Sequence, residues 1–432
     1  MLNLENAEVP LLAPQLRTWT AQSEDLNNPV YCICDYLDIR GRVDPDLMIS
    51  AHEHVEREAE ALRLGIITAQ GEHRQFLSEG TAPLDFLDLS AESVPEAAAK
   101  TWMESDAQRP VNPDRLCTAA LIKVTDEHFI LYRRVHHAVV DGYSLALIFN
   151  RTAAVYTALA QGLPPGKSAF PPYARLLESE AAYRDGKSFD RDRQHWLRKM
   201  AGRPEPVSLA GRKAGLGIGH RRTVELAPDT VARLERAAGG LGVTWSDLAV
   251  STTAAYVART TGADELLIGL PTGGRLGPQV RNVPGMTMNI LPLRLTVDTG
   301  SPLDAFARQV SREVREVLLH CRYPTAELSR ELVEQGSGAR LWGPMVNVMK
   351  FNYELDFAGA HAVMRTMSIP LTVDVTVYFF QTSADGTTEV ILDAHPELYG
   401  PQETDRHMQG LLSLLRALET ADPRTAVRDV GA

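Results

Sequence analysis

Two rounds of alternating strand- and helix-forming segments, split by a proline–glycine cluster, constrain this chain more than any other feature of its sequence. The cluster is Gly162-Leu163-Pro164-Pro165-Gly166 followed by Phe170-Pro171-Pro172-Tyr173, a density of turn formers at which neither helix nor strand continues. Before it, residues 30–39 read as a strand and 44–64 as a helix opened by Asp44-Pro45, with proline at the first turn. Residues 116–124 and 128–137 read as strands and 144–161 as a long helix. After the cluster, 176–200 is a charged helical stretch that reads as a surface connector, and 201–222 is a loop rich in Gly, Pro, Lys and Arg. The second round places strands at 222–226, 265–270, 288–297, 345–353, 372–382 and 388–394. Helices fall at 229–239, 244–261, 302–320 and 403–420. The pattern predicts two α/β halves rather than one barrel.

Composition narrows the function classes. The 432 residues carry 44 Lys plus Arg against 55 Asp plus Glu, a net charge of −11, which argues against nucleic acid as a partner. No run of about 18 apolar residues occurs and the start has no basic signal region, so membrane spanning and secretion are not expected. Cys32, Cys34, Cys117 and Cys321 are too few and scattered for a disulfide framework, and a reducing cytoplasmic setting fits them. Cys32 and Cys34 share a strand face without a nearby His or Cys pair and read as buried thiols, not a metal site. Gly215-Leu216-Gly217-Ile218-Gly219 precedes a strand-like segment, so it lacks the helix N-terminus that a phosphate loop needs.

The stretch that carries chemistry is Val135-His136-His137-Ala138-Val139-Val140-Asp141-Gly142-Tyr143-Ser144. A strand ends in two histidines, a short loop follows, Asp141-Gly142 makes the turn and a long helix begins. Those are the parts of an acid–base site: an imidazole titrating near neutrality, a carboxylate beside it, and free N–H groups for an oxyanion. Gly142-Tyr143-Ser144-Leu145-Ala146 comes close to a nucleophile elbow, but about six residues separate Ser144 from the strand, so a serine hydrolase is not expected.

At this motif the sequence resembles the condensation domains of non-ribosomal peptide synthetases, whose hallmark is His-His-x-x-x-Asp-Gly. Leu12-Ala13-Pro14-Gln15-Leu16-Arg17-Thr18-Trp19, Glu60-Ala61-Leu62-Arg63, and Gly274-Arg275 with Met288-Asn289-Ile290-Leu291-Pro292-Leu293-Arg294 resemble further family motifs. Tyr323-Pro324 and Gly343-Pro344-Met345 are looser matches. The resemblance implies an α/β fold of the α+β sandwich type: two chloramphenicol-acetyltransferase-like subdomains, 1–176 and 177–432, in a V-shaped pseudo-dimer. It implies that His137 is catalytic, that His136 supports it, that Asp141 is structural and paired with Arg275, and that Gly142 gives backbone room near the reacting carbonyl. It further implies acyl transfer from a thioester to a downstream amine or hydroxyl, in antibiotic or related secondary metabolism. Donor and acceptor carrier proteins, or small acyl thioesters, are the expected partners of a bacterial, monomeric enzyme with no cofactor of its own, the phosphopantetheine arms being the carriers'. The first of these motifs, Leu12 to Trp19, starts only about ten residues from Met1, which suggests a free-standing or starter-type domain. Epimerisation, ester formation and a silent partner-recruiting role are the alternatives. Arg198-Lys199, Arg212-Lys213 and His220-Arg221-Arg222 are the candidate basic patches for carrier docking.

Overall fold

Two six-stranded mixed sheets organise the computed structural model, which describes residues 7–336 and 338–431. The first has the order Leu84–Asp88, Cys117–Thr125, His128–His136, Cys32–Arg40, Ala360–Thr366 and Asp356–Phe357. Its middle strands run antiparallel, with Cys32 opposite His136 and Asp35 opposite Arg133. The second has the order His220–Leu226, Thr388–Ala394, Val375–Gln381, Met345–Met349, Glu265–Thr272 and Asn289–Thr296, with Met345–Met349 parallel to both neighbours.

Chain order does not partition the sheets. The strand Ala360–Thr366 leaves the second half of the sequence and pairs along Cys32–Arg40, Met364 opposite Leu37. The apolar interior follows this exchange: Tyr353, Leu355 and Phe357 pack with Leu37, Ile39 and Leu145, whereas Trp196, Leu248, Leu293 and Phe379 belong to a second core.

Local chemistry explains where elements stop. Asp44 caps the helix Pro45–Glu58, its Oδ1 accepting from the N–H groups of Asp46 and Leu47 at 2.9 and 3.2 Å. The expected continuation to residue 64 does not form. Ala59 leaves helical geometry, Glu60–Arg63 is a 3₁₀ turn and Leu64–Ala69 becomes a strand. The Glu60 carboxylate, which accepts from the Tyr173 N–H at 2.6 Å, ties that turn to the inter-half connection. The expected connector helix is two helices, Ala174–Arg184 and Lys187–Met200, divided at Gly186. It is not a bare surface strut, because Trp196 is fully buried and donates from Nε1 to the His320 carbonyl at 2.9 Å. The loop at 201–222 is interrupted by Gly217–Ile218, paired with Leu371–Thr372, and by the start of His220–Leu226. Among the described residues, no helix is long and apolar enough to cross a membrane.

Candidate active site at the His-His-x-x-x-Asp-Gly junction

The strand His128–His136 is buried along its whole length, so the backbone at its end has little freedom. His136 N–H donates to the Leu116 carbonyl at 2.8 Å and His137 N–H to the Tyr31 carbonyl at 2.7 Å. The chain then closes a tight loop and enters the helix Gly142–Ala160, with Asp141 as N-cap. Each piece follows from the local sequence: a strand with an apolar centre from Phe129 to Tyr132, short side chains in the loop, and an aspartate placed to bind the third N–H of the helix.

The two histidines are held in different tautomers. His136 Nδ1 accepts from the Ala138 N–H at 3.1 Å, which puts its proton on Nε2, where it donates to Gln22 Oε1 at 3.1 Å. Burial pushes its pKa down to about 3, with the neighbouring His137 adding to the effect. A fully satisfied, neutral ring of this kind holds structure and does not exchange protons. His137 instead donates from Nδ1 to the Val140 carbonyl at 3.0 Å. A carbonyl can only accept, so the neutral ring leaves its Nε2 lone pair available, with no protein partner among the described residues. Burial lowers the His137 pKa, Asp141 opposes that shift, and the charge of Arg17 adds to it. The ring is therefore a neutral base near pH 7, and it is half-buried where residues 138–141 are buried.

Asp141 joins the two halves of the sequence. Its Oδ2 accepts from Arg275 Nη1 at 2.7 Å and its Oδ1 from Arg275 Nη2 at 3.1 Å, and each side chain is only 4 % exposed. Ser144 N–H and Oγ donate to Oδ1 at 3.0 and 2.8 Å, and Thr287 N–H donates to Oδ2 at 3.2 Å. Burial alone would raise the carboxyl pKa, but the Arg275 charge and these donors outweigh it and hold it below the usual value. Gly274 shapes the turn that presents Arg275. Its φ is +65°, and a Cβ there would lie 2.2 Å from the Thr287 carbonyl oxygen.

Ser144 is no nucleophile. It is buried inside the first helical turn, and its hydroxyl contacts Asp141, Arg275 and both polar backbone atoms of Gly285. The Gly142 and Tyr143 N–H groups, by contrast, donate to no protein acceptor among the described residues, leaving two donors at a helix N-terminus beside His137.

A cavity between the halves reaches Arg275 and is also lined by Arg17, Ser179, Thr287, Asn289 and Arg322. Arg17 lies in the first family-like motif, but nothing in that segment indicated that its guanidinium would face this cavity without a carboxylate partner among the described residues. Sequence reasoning also missed the Val140 carbonyl, Ser144 and Thr287 as positioning groups. Met349 and Phe351 were missed too, although they face Gly142. The expected basic docking patches are largely neutralised. Lys199 pairs with Glu313 and Glu316, Lys213 with Glu205, Arg221 with the buried Asp393, and Arg222 with Asp405.

The arrangement suits proton transfer beside a carbonyl whose oxygen meets backbone donors. A family profile described as the condensation domain matches residues 5–431. An isonitrile lipopeptide synthase of Streptomyces coeruleorubidus is 38% identical over 420 residues, covering 96% of this chain and 29% of that protein. A dimodular nonribosomal peptide synthase of Bacillus subtilis (strain 168) is 34% identical over 426 residues, covering 98% of this chain and 18% of that protein. The chain thus spans less than a third of either relative. Among solved structures, the first condensation domain of the calcium-dependent antibiotic synthetase, in complex with a substrate analogue, superposes with a TM-score of 0.90 at 32% identity, covering 99% of both chains. The starter condensation domain of rhizomide synthetase, a mutant in complex with C8-CoA and Leu-SNAC, gives 0.89 at 33% identity, covering 98% of this chain and 96% of that one. The chain belongs to the condensation-domain family of nonribosomal peptide synthesis, whose members are amide-forming acyltransferases.

Proposed function

We propose that this domain transfers an acyl group from a thioester, on a carrier protein or on coenzyme A, to the amine of a downstream acceptor, with His137 as the catalytic base. The observation that carries the reading is the His137 tautomer: Nδ1–H is fixed on the Val140 carbonyl at 3.0 Å, so Nε2 is the basic atom. In the reaction the acceptor nitrogen attacks the thioester carbonyl, and Nε2 removes the proton that nitrogen sheds. The oxyanion that develops meets the Gly142 and Tyr143 N–H groups. Collapse breaks the C–S bond, and the departing thiolate takes the proton from the imidazolium, restoring the neutral ring. Asp141 and Arg275 hold the helix N-terminus in register with the second half and touch no reacting atom. His136 fixes the strand end through Gln22.

General-base assistance is worth on the order of 10²–10⁴ in rate. An α-amine, with a pKa of roughly 8, is partly neutral already and needs less of it than an alcohol. The domain needs no cofactor of its own in this reading, because the phosphopantetheine belongs to the carriers. It works as a cytoplasmic monomer of two acetyltransferase-like halves, 1–176 and 177–432, the second lending residues 356–366 to the first sheet. The solved starter domain bound to C8-CoA and Leu-SNAC supports a fatty-acyl donor and an aminoacyl acceptor. Intact-protein mass spectrometry of loaded acceptor carriers, after a single turnover with acyl thioesters, tests this. A mass gain equal to the acyl group is expected. Unchanged mass with inverted stereochemistry would make the domain an epimerase, and loss of acyl groups to water would make it a hydrolase.

A further inference from the structure

Gln22 is the last residue of the helix Ala13–Gln22, and its side chain is buried. Its amide nitrogen donates to the Asp25 and Asn28 carbonyls at 2.7 and 2.9 Å. Carbonyls can only accept, so the amide has a single orientation, and Oε1 is the atom left to face His136 Nε2 at 3.1 Å. That oxygen also can only accept. The ring proton therefore sits on Nε2, and Nδ1 is free to accept from the Ala138 N–H at 3.1 Å. Trp19 stands edge-on to the ring, centroids 5.3 Å apart, and both side chains are buried, which holds the imidazole in this orientation. The Ala138 contact, with the Val139 N–H on the His136 carbonyl at 3.0 Å, curls the loop that brings the Val140 carbonyl to His137 Nδ1. Each bond in this series runs in one direction only, from the turn after the first helix to the proton on the second histidine.

We infer that Gln22 is a positioning residue for the reaction: it selects the tautomer of His136, and His136 in that tautomer holds the loop that keeps the His137 proton on Nδ1. With a side chain at 22 that cannot accept, nothing opposes the other His136 tautomer. Its Nδ1–H would meet the Ala138 N–H donor to donor and push the loop open, and the Val140 carbonyl would move with it. The inference rests on the reading of His137 as the base.

Long-range nitrogen–proton NMR spectra of the histidine-labelled domain read the tautomers directly. The wild type should show His136 protonated on Nε2 alone and His137 on Nδ1 alone. His136 found with its proton on Nδ1 overturns the inference before any variant is made. Gln22→Met should give His137 a mixture of tautomers and slow single-turnover acyl transfer about tenfold or more. Two replacements of His136 separate this role from packing. Asparagine places an amide oxygen where Nδ1 stands and accepts from Ala138 without help from Gln22, whereas glutamine reaches only the Nε2 side. His136→Asn should therefore outperform His136→Gln by about tenfold, and adding Gln22→Met to His136→Asn should cost less than about threefold more. Equal rates for the two His136 variants, full additivity in the double variant, or an unmixed His137 tautomer in Gln22→Met overturns the inference. A wild type with the assigned tautomers that acylates no acceptor sinks the acyl-transfer reading instead and leaves the role of Gln22 in the tautomers standing.

Discussion

Replacing Asp141 by asparagine separates the capping role of this residue from its charge. Asparagine is as good an N-cap as aspartate, so the Ser144 N–H contact at 3.0 Å survives. What is lost is the partner of the Arg275 guanidinium, which is 4 % exposed and has only Ser144 Oγ and the Gly273, Val283 and Gly285 carbonyls to turn to. Leaving one member of a buried pair uncompensated costs about 3–5 kcal/mol, a large share of a typical total of about 5–15 kcal/mol. Arg275→Met should cost a similar amount by stranding the carboxylate. The double variant Asp141→Asn/Arg275→Met removes both charges and should be less destabilised than the sum of the single changes by about 0.5–3 kcal/mol. Equilibrium urea unfolding at pH 7.5, followed by circular dichroism and tryptophan fluorescence, measures all three. Asp141→Asn protein within about 1 kcal/mol of wild type, yet devoid of turnover, would refute the structural assignment and make the carboxylate part of the chemistry.

Further outcomes follow from the same geometry. His137→Ala should slow transfer to a hydroxyl acceptor more than transfer to the matching amine, read as single-turnover rates. Equal losses would leave His137 only a positioning role. Burial holds His52 and His136 at about 3 in the folded chain, so these two rings make the fold acid-sensitive above the carboxylate range, against the opposite contribution of the buried Asp35 and Asp374, pushed up to about 7 and about 6. Both histidines take up protons on unfolding near pH 6.5, so their contribution is complete above that pH and is lost as pH falls toward 3. At pH 5 this amounts to about 2 kcal/mol for each. A His136→Gln variant whose melting temperature changes between pH 7 and 5 in parallel with that of the wild type would count against a neutral His136. Gly274→Ala should lower both stability and turnover, since a Cβ would press on the Thr287 carbonyl at 2.2 Å and move Arg275. Wild-type melting behaviour in that variant would show that the loop adjusts freely.

Much of this site was legible because its information is local. The strand, the loop and the capped helix occupy one continuous run from His128 to Ala160, and turn and capping signals lie within a few residues of the groups they place. Local periodicity also misled. Ala59 and Leu62 continue the apolar spacing of the helix that ends at Glu58, but their side chains are buried by a 3₁₀ turn and the strand that follows. The contacts that complete the site were not legible, because they join distant residues: Arg275 to Asp141, Phe351 to Gly142, and Thr366 opposite Asp35. No window of sequence reports a pairing across hundreds of residues, and the ion pair with Arg275 came only through the likeness to a known family.

The strand Ala360–Thr366 has a consequence for anyone recombining such domains. A junction placed between residues 177 and 355 joins a native first sheet to foreign strands at its edge. The graft must then reproduce six residues of backbone pairing against Asp35–Arg40, from Thr366 opposite Asp35 to His361 opposite Arg40, besides the Asp141–Arg275 pair. The pairing ties residues 35–40 to 361–366, so chimaeras cut at the sequence midpoint should fail at the seam between sheets before any question of substrate arises.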